Sequence, residues 1–248
     1  MMEFSILLPA FAAGLTVLLS HVPLGQEVLK RGIIFIDLAI AQFAGLGLIV
    51  ANYLGFDAHG VEIQLFALLG ALLGAALLST TERFLTDHQE AGIGILFVLA
   101  TTAGLLLIAN NPHGGEQLQN ILVGQILWVE WSQLIPALVI GIATLVIALK
   151  ARRLFQTRWF YIIFALAITQ SVQLVGVYLV FATLIIPALA SVRFTTTKTL
   201  LFPISLGIAS YAIGLTVSSI VDLPSGAVIV WAMALLSLTF MLASKKTR

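Results

Sequence analysis

The feature that most constrains this chain is a rhythm of apolar runs, each about one membrane thickness long, separated by short segments that hold every lysine and arginine. A membrane-spanning helix needs about 20 apolar residues, within roughly 17–25. Gly, Pro and charge clusters bound nine such runs, at Phe4–Ser20, Ile33–Leu54, Val61–Thr80, Ala91–Ala109, Ser132–Leu149, Trp159–Val175, Gly176–Ser191, Leu200–Ile220 and Ser225–Leu242. The 159–191 stretch is too long for one helix across about 30 Å of hydrocarbon and just long enough for two. With nine crossings and the N-terminus outside, all 12 cations fall on one side, from Lys30 and Arg31 through Arg83, the Lys150–Arg158 cluster, Arg193 and Lys198 to Lys245, Lys246 and Arg248. The positive-inside rule makes that side cytoplasmic. A single crossing over 159–191 would put Arg193 and Lys198 outside. The expectation is an all-α, polytopic transmembrane helical bundle of eight to nine membrane segments, one domain over residues 1–248, with a cytoplasmic C-terminus.

Composition agrees. Hydrophobic residues make up 60% of the chain and charged residues 9%, against about 25% charged in soluble domains, and the mean hydropathy is +1.10. There is no cysteine, so thiolate metal sites, disulfides and cysteine nucleophiles are excluded, and any metal must meet oxygen or imidazole. Basic residues form no patch for nucleic acid. The first apolar run follows Met-Met-Glu without the cationic segment of a secretory signal and reads as a span. On the outer side lie Asp57, His59, Glu62, His113, Glu116, Glu130 and Asp222 without any Lys or Arg, an electronegative face that attracts cations or a basic partner.

Inside the spans, Asp37 is the one ionisable residue expected at hydrocarbon depth, where such a group costs a few kcal/mol by insertion scales and is by default functional. On a helix from Ile33, residues 37, 41, 44, 45 and 48 share a face of small side chains around the carboxylate. That face suits another helix or a cavity. The plainer alternative is that Asp37 sits about a turn from the surface and pairs with Lys30 or Arg31. Further polar residues, Gln42, Gln170, Ser171 and Gln173, are candidates for a translocation path or for helix packing. Residues 117–129 read as an amphipathic or re-entrant helix, with Trp128 and Trp131 at an interface.

The chain lacks G-x-x-x-x-G-K-[ST], and no lysine follows a glycine, so it cradles no nucleotide phosphates by a P-loop. It has no H-E-x-x-H, and its histidines, 21, 59, 88 and 113, all fall in expected loops or helix ends.

Two segments carry a family resemblance. Pro23-Leu24-Gly25 with Lys30-Arg31 and Asp37 resembles the second-helix region of zinc and manganese permeases of ATP-binding-cassette importers. Val175-Gly176-Val177-Tyr178-Leu179-Val180 through Leu184-Ile185-Ile186-Pro187-Ala188 resembles their VG…L…LLIIPA signature. Leu122-Val123-Gly124-Gln125-Ile126-Leu127 is similar to an LFGDLL element, and Asp222-Leu223-Pro224-Ser225-Gly226 to the last outer turn.

The resemblance implies a non-enzymatic permease subunit of a multi-pass inner-membrane importer. It binds no cofactor itself, dimerises with a second copy in membrane lipid, receives a metal ion from an extracytoplasmic binding protein and is driven by ATP used in a separate ATP-binding subunit. It points to zinc first and manganese second. It also implies an Asp followed four residues later by His; Asp37 is kept, but Ala41 stands at the second place. Gln42 lies about 140° round the helix from Asp37. Metal-site candidates are therefore Asp37, His59 and His113. The family's longer docking segment is reduced here to Lys150–Arg158, which makes Arg152, Arg153 and Arg158 the ATPase-coupling candidates. Two alternatives remain open: a self-sufficient ion-coupled secondary transporter using Asp37, and an importer permease for a siderophore or cofactor.

Overall fold

In a computed structural model, which describes residues 4–56, 60–85, 88–109, 111, 114–192 and 198–245, long helices account for most of the chain. They are α1 (Phe4–Arg31), α2 (Ile36–Tyr53), α3 (Val61–Phe84), α4 (Gln89–Ile108), α5 (Gly114–Val123), α6 (Trp131–Lys150), α7 (Trp159–Val175), α8 (Val177–Ser191), α9 (Lys198–Val221) and α10 (Ser225–Lys245). Seven of them are long and apolar enough to cross a membrane, while α7 and α8 are shorter apolar helices. No strand occurs among the described residues.

The centre of the bundle is α1, packed on α6, α8 and α9, with α2, α3 and α4 forming one flank and α10 closing the other. Its 28 residues make about 42 Å of helix at 1.5 Å per residue. Sequence reading ended this helix at Ser20. Instead it runs on through Pro23 to Arg31, because the buried Val22, Leu24 and Val28 continue its apolar contacts. His21, expected in a loop or at a helix end, is therefore fully buried in mid-helix, and Glu27 is buried too. The next helix starts at Ile36, three residues later than expected, after a break at Gly32. Apolar side chains of α3, α4, α6, α9 and α10, Leu69, Leu106, Ile135, Leu201 and Leu235 among them, point outward, as lipid-facing positions require.

Several loops that charge assigns to one side of the membrane meet at one end of the bundle. Arg31 closes α1 there, ion-paired with Glu82 of α3 at 3.4 Å and Glu27 at 3.8 Å. Its guanidinium also donates to the Phe155 carbonyl, in the loop after α6, and lies 4.3 Å from the centroid of Phe160 at the start of α7. Gln89 of α4 donates to the Tyr161 hydroxyl at 3.0 Å. Near the same end of α1, Gln26 donates to Ser191 at the end of α8, 3.2 Å away. Thus α7 leaves this end, turns at Gly176, and α8 returns to it.

Two cysteine substitutions test the orientation in intact cells. A cysteine at Gly115, where an added Cβ meets nothing within 4 Å, is expected to react with an impermeant thiol reagent, and a cysteine at exposed Gln156 only after the membrane is opened. Labelling in the reverse order would invert the assignment of sides.

Candidate translocation site

At the end opposite Arg31, α5 packs against α8, α4 and α7 and borders a cavity shared with α2, α3, α6 and α7. It ends at Gly124, whose φ of +71° breaks what the sequence reads as one helix over 117–129; a short 3-10 helix, Ile126–Trp128, follows. Gly176, the elbow between α7 and α8, has φ +80°. The two glycines sit backbone against backbone, and a Cβ on either would overlap the main chain of the other. The LVGQIL and VGVYLV elements, some 50 residues apart in sequence, are therefore two sides of one contact.

Beneath α5 opens a cavity of about 750 Å³, lined by Asn52 of α2, Gln64 of α3, Glu116 and Asn120 of α5, Gln125, Glu130, Gln133 of α6 and Gln173 of α7, among others. Next to it a chamber of about 260 Å³ is lined by Gln64, Gln133, Pro136, Gln170, Gln173 and Leu174. Gln64, Gln133 and Gln173 belong to both walls. A capping box at the start of α6 orients Gln133, whose Oε1 accepts the Glu130 amide at 3.0 Å, and Gln125 donates to Asn120 at 3.2 Å. The Nε2 of Gln173 is buried without a hydrogen-bond partner, a state that costs about 1–3 kcal/mol.

The sequence singled out Gln170 and Gln173, and the structure puts both in this wall. It did not single out Gln64, Gln133, Asn120 or Glu116 as a group; the available signal was a glutamine one turn into each of two otherwise apolar helices, VEIQLFALL and WSQLIPALV. Gln42 is buried within α2 and lines neither cavity.

Asp37 lies in the first turn of α2, 1% exposed. Its carboxylate oxygens have no side-chain hydrogen-bond partner and face only the amides of their own first turn, while Arg31, one of the two partners considered from the sequence with Lys30, is engaged by Glu27 and Glu82. The positive end of the α2 dipole is the favourable feature of its surroundings. Ala41, where the family pattern has His, is fully buried. His59 and His113 fall outside the described residues. No group of three or more His, Cys, Asp or Glu able to hold a metal occurs among the described residues. At the Arg31 end, the 3-10 turn Arg152–Gln156 is pinned by buried Phe155 and presents Arg152 and Arg153 to the exterior, and Arg158, at the start of α7, is exposed beside it.

A bundle of long apolar helices around a polar chamber at one end is the architecture of a membrane permease. The chain belongs to the ABC 3 transport family, whose profile matches residues 3–160 and 154–244, as the two signatures led one to expect. It is 24% identical to a probable metal transport system membrane protein of Chlamydia pneumoniae, over 93% of this chain and 86% of that protein. To the manganese transport system membrane protein MntC of Halalkalibacterium halodurans it is 25% identical, over 99% and 90% respectively. The fold matches a chain of PsaBC from Streptococcus pneumoniae in complex with Fab, with a TM-score of 0.73 and 20% identity, covering 96% of this chain and 91% of that one.

Proposed function

We propose that this chain is the permease subunit of an ATP-driven importer that carries a divalent metal ion, zinc or manganese, across the cytoplasmic membrane. The relatives named for metal and manganese transport support this reading. The observation that carries it is the polar chamber. Gln64 and Gln133 are exposed on the single chain close to apolar spans, and polar groups at membrane depth are tolerated only against protein or water. A second copy laid across the opening would convert it into an enclosed path, so the working unit is a homodimer. An acidic outer face suits delivery by an extracytoplasmic metal-binding protein.

Because the chain has no P-loop, the energy comes from a separate ATP-binding subunit, and Arg152, Arg153 and Arg158 are the docking surface, a basic turn facing an acidic groove. Replacing all three by Ala is expected to lower ATPase association and permease-stimulated hydrolysis about tenfold, by loss of electrostatic complementarity, while leaving the chain in the membrane. Unchanged association, measured by co-purification, would move the coupling element elsewhere.

A second reading has one observation in its favour: the buried Asp37, which has no side-chain partner, would suit a proton- or ion-coupled carrier. Metal uptake into proteoliposomes holding this chain alone, under an ion gradient and without ATPase, would favour it over the importer.

A further inference from the structure

The turn that carries Arg152 and Arg153 is tied to the central helix of the bundle. Its backbone packs on α6 and α7, its neighbours along the chain. Arg31, 124 residues away in sequence, donates from Nη2 to the Phe155 carbonyl in that turn. The same guanidinium donates from Nη1 to Glu82 of α3 at 3.4 Å and has its Nε 3.8 Å from Glu27 of α1. It also lies 4.3 Å from the ring centroid of Phe160 and 5.9 Å from that of Tyr161, at the start of α7. One side chain therefore joins the ends of α1, α3 and α7 to the turn. Directly after it the chain bends at Gly32, with φ +70°, into the linker to α2, where Glu90 of α4 accepts the Ile34 amide. Asp37 follows within one helical turn of Ile34.

This junction uses what distinguishes arginine from lysine. A guanidinium is a planar fork of donors that also stacks on aromatic rings, whereas an ammonium is a point charge. Lysine would keep the charge opposite Glu27 and Glu82 but not the carbonyl bond and the ring contact together. Neutralising two carboxylates asks for no such fork; holding a backbone carbonyl at a fixed place does. The Arg31 side chain is 16% exposed and that of Glu27 10%, so the pair is sheltered from the screening that weakens surface ion pairs. On the outward side of the turn, Arg152 and Arg153 are exposed. A partner seated on them works on the bundle through groups in contact with the turn, because packed side chains and hydrogen-bond networks carry coupling between sites. On the inward side those groups are Phe155, edge-on to Phe160, and Arg31.

We infer that Arg31 is a positioning residue for energy coupling: it locks the docking turn to α1 and α3, so that movement of a partner seated on Arg152 and Arg153 reaches the α1–α2 linker. The inference rests on the importer reading and adds to it the element of this chain that transmits the work. Arg31→Lys is the test, because it spares the charge that buried Glu27 needs. The first readout requires no partner. In the full chain, which has no native cysteine, a spin label on Gln156→Cys, exposed in the turn, is expected to gain mobility when Arg31→Lys is added. The second readout is proteoliposomes holding the chain with its ATP-binding subunit and supplied with the binding protein. Association of the ATPase should stay at the wild-type level, since Arg152, Arg153 and Arg158 are untouched. Radioactive zinc or manganese taken up per ATP hydrolysed should fall about tenfold, inside the roughly 5–150-fold range of couplings between sites. A merely structural role would lower membrane level, hydrolysis and uptake together at a fixed ratio. That result, or a label no more mobile than in wild type, overturns the lock, and so does lost association, which would place Arg31 in docking. Should Arg31→Lys fail to reach the membrane, Glu82→Gln, which leaves Arg31 in place and removes its partly exposed anchor on α3, decides by the same two readouts. Wild type that neither binds the ATPase nor takes up either metal with all partners present overturns the importer reading and the coupling role with it, whichever way the label moves.

Discussion

Alanine at Gly176 is expected to prevent formation of the folded permease, where alanine at Gly115 is expected to be silent. The elbow glycine has φ +80° and ψ 163°, a region open essentially to glycine alone, and holding another residue there costs about 1–3 kcal/mol. The second cost is steric. A Cβ at Gly176 points into the backbone of Gly124, which is itself fixed at φ +71°, so relief requires moving two main chains and with them the roof of the cavity. Marginal stabilities of about 5–15 kcal/mol do not leave much room for both. Gly115 is different: an added Cβ there meets nothing within 4 Å and φ is not positive. The measurement is membrane yield and apparent Tm in detergent for Gly176→Ala, Gly124→Ala and Gly115→Ala. The first two should lose the monodisperse species or melt many degrees lower. If Gly176→Ala melts like Gly115→Ala, the backbone contact does not hold the elbow.

That contact also shows where sequence reading reaches and where it stops. Charge and span length split the 159–191 stretch in two, glycine sets the boundary between Val175 and Gly176, and α7 and α8 divide at the same place, because the positive φ of the elbow favours glycine. Both glycine-bearing elements were legible as family signatures. That they touch was not, since one sequence carries no record of which backbones pass within contact distance. The same limit applies to the chamber. Gln170 and Gln173 drew notice because they cluster along the chain; Gln64 and Gln133 did not, because only the tertiary arrangement of α3, α6 and α7 brings them together. Helix α1 was cut short for another reason. Pro23 and Gly25 read as boundary signals, but their neighbours are buried on all sides, and tertiary packing outweighs local propensity.

Asp37→Asn is expected to abolish metal uptake while leaving membrane level and apparent Tm unchanged or raised. The carboxylate is buried at 1% exposure with no side-chain partner. Burying the group without a side-chain partner burdens folding, by about 1–3 kcal/mol when it is neutral and by more when it carries charge. Asparagine keeps the shape and sheds the charge, so the fold loses nothing by the change. If the carboxylate attracts a cation into the path, uptake disappears, and the opposite signs of the two effects mark a residue retained for function at the expense of stability. A structural carboxylate predicts the reverse, with uptake and Tm falling together. Pairing with the helix-end cations is tested by adding Arg31→Gln and Lys30→Gln to Asp37→Asn. Because Arg31 is held by Glu27 and Glu82, the added changes are expected to weaken the Arg31 end of the bundle and to restore no uptake. Recovery of uptake in the triple variant would mean that Asp37 only neutralises those cations, and would remove it from the path.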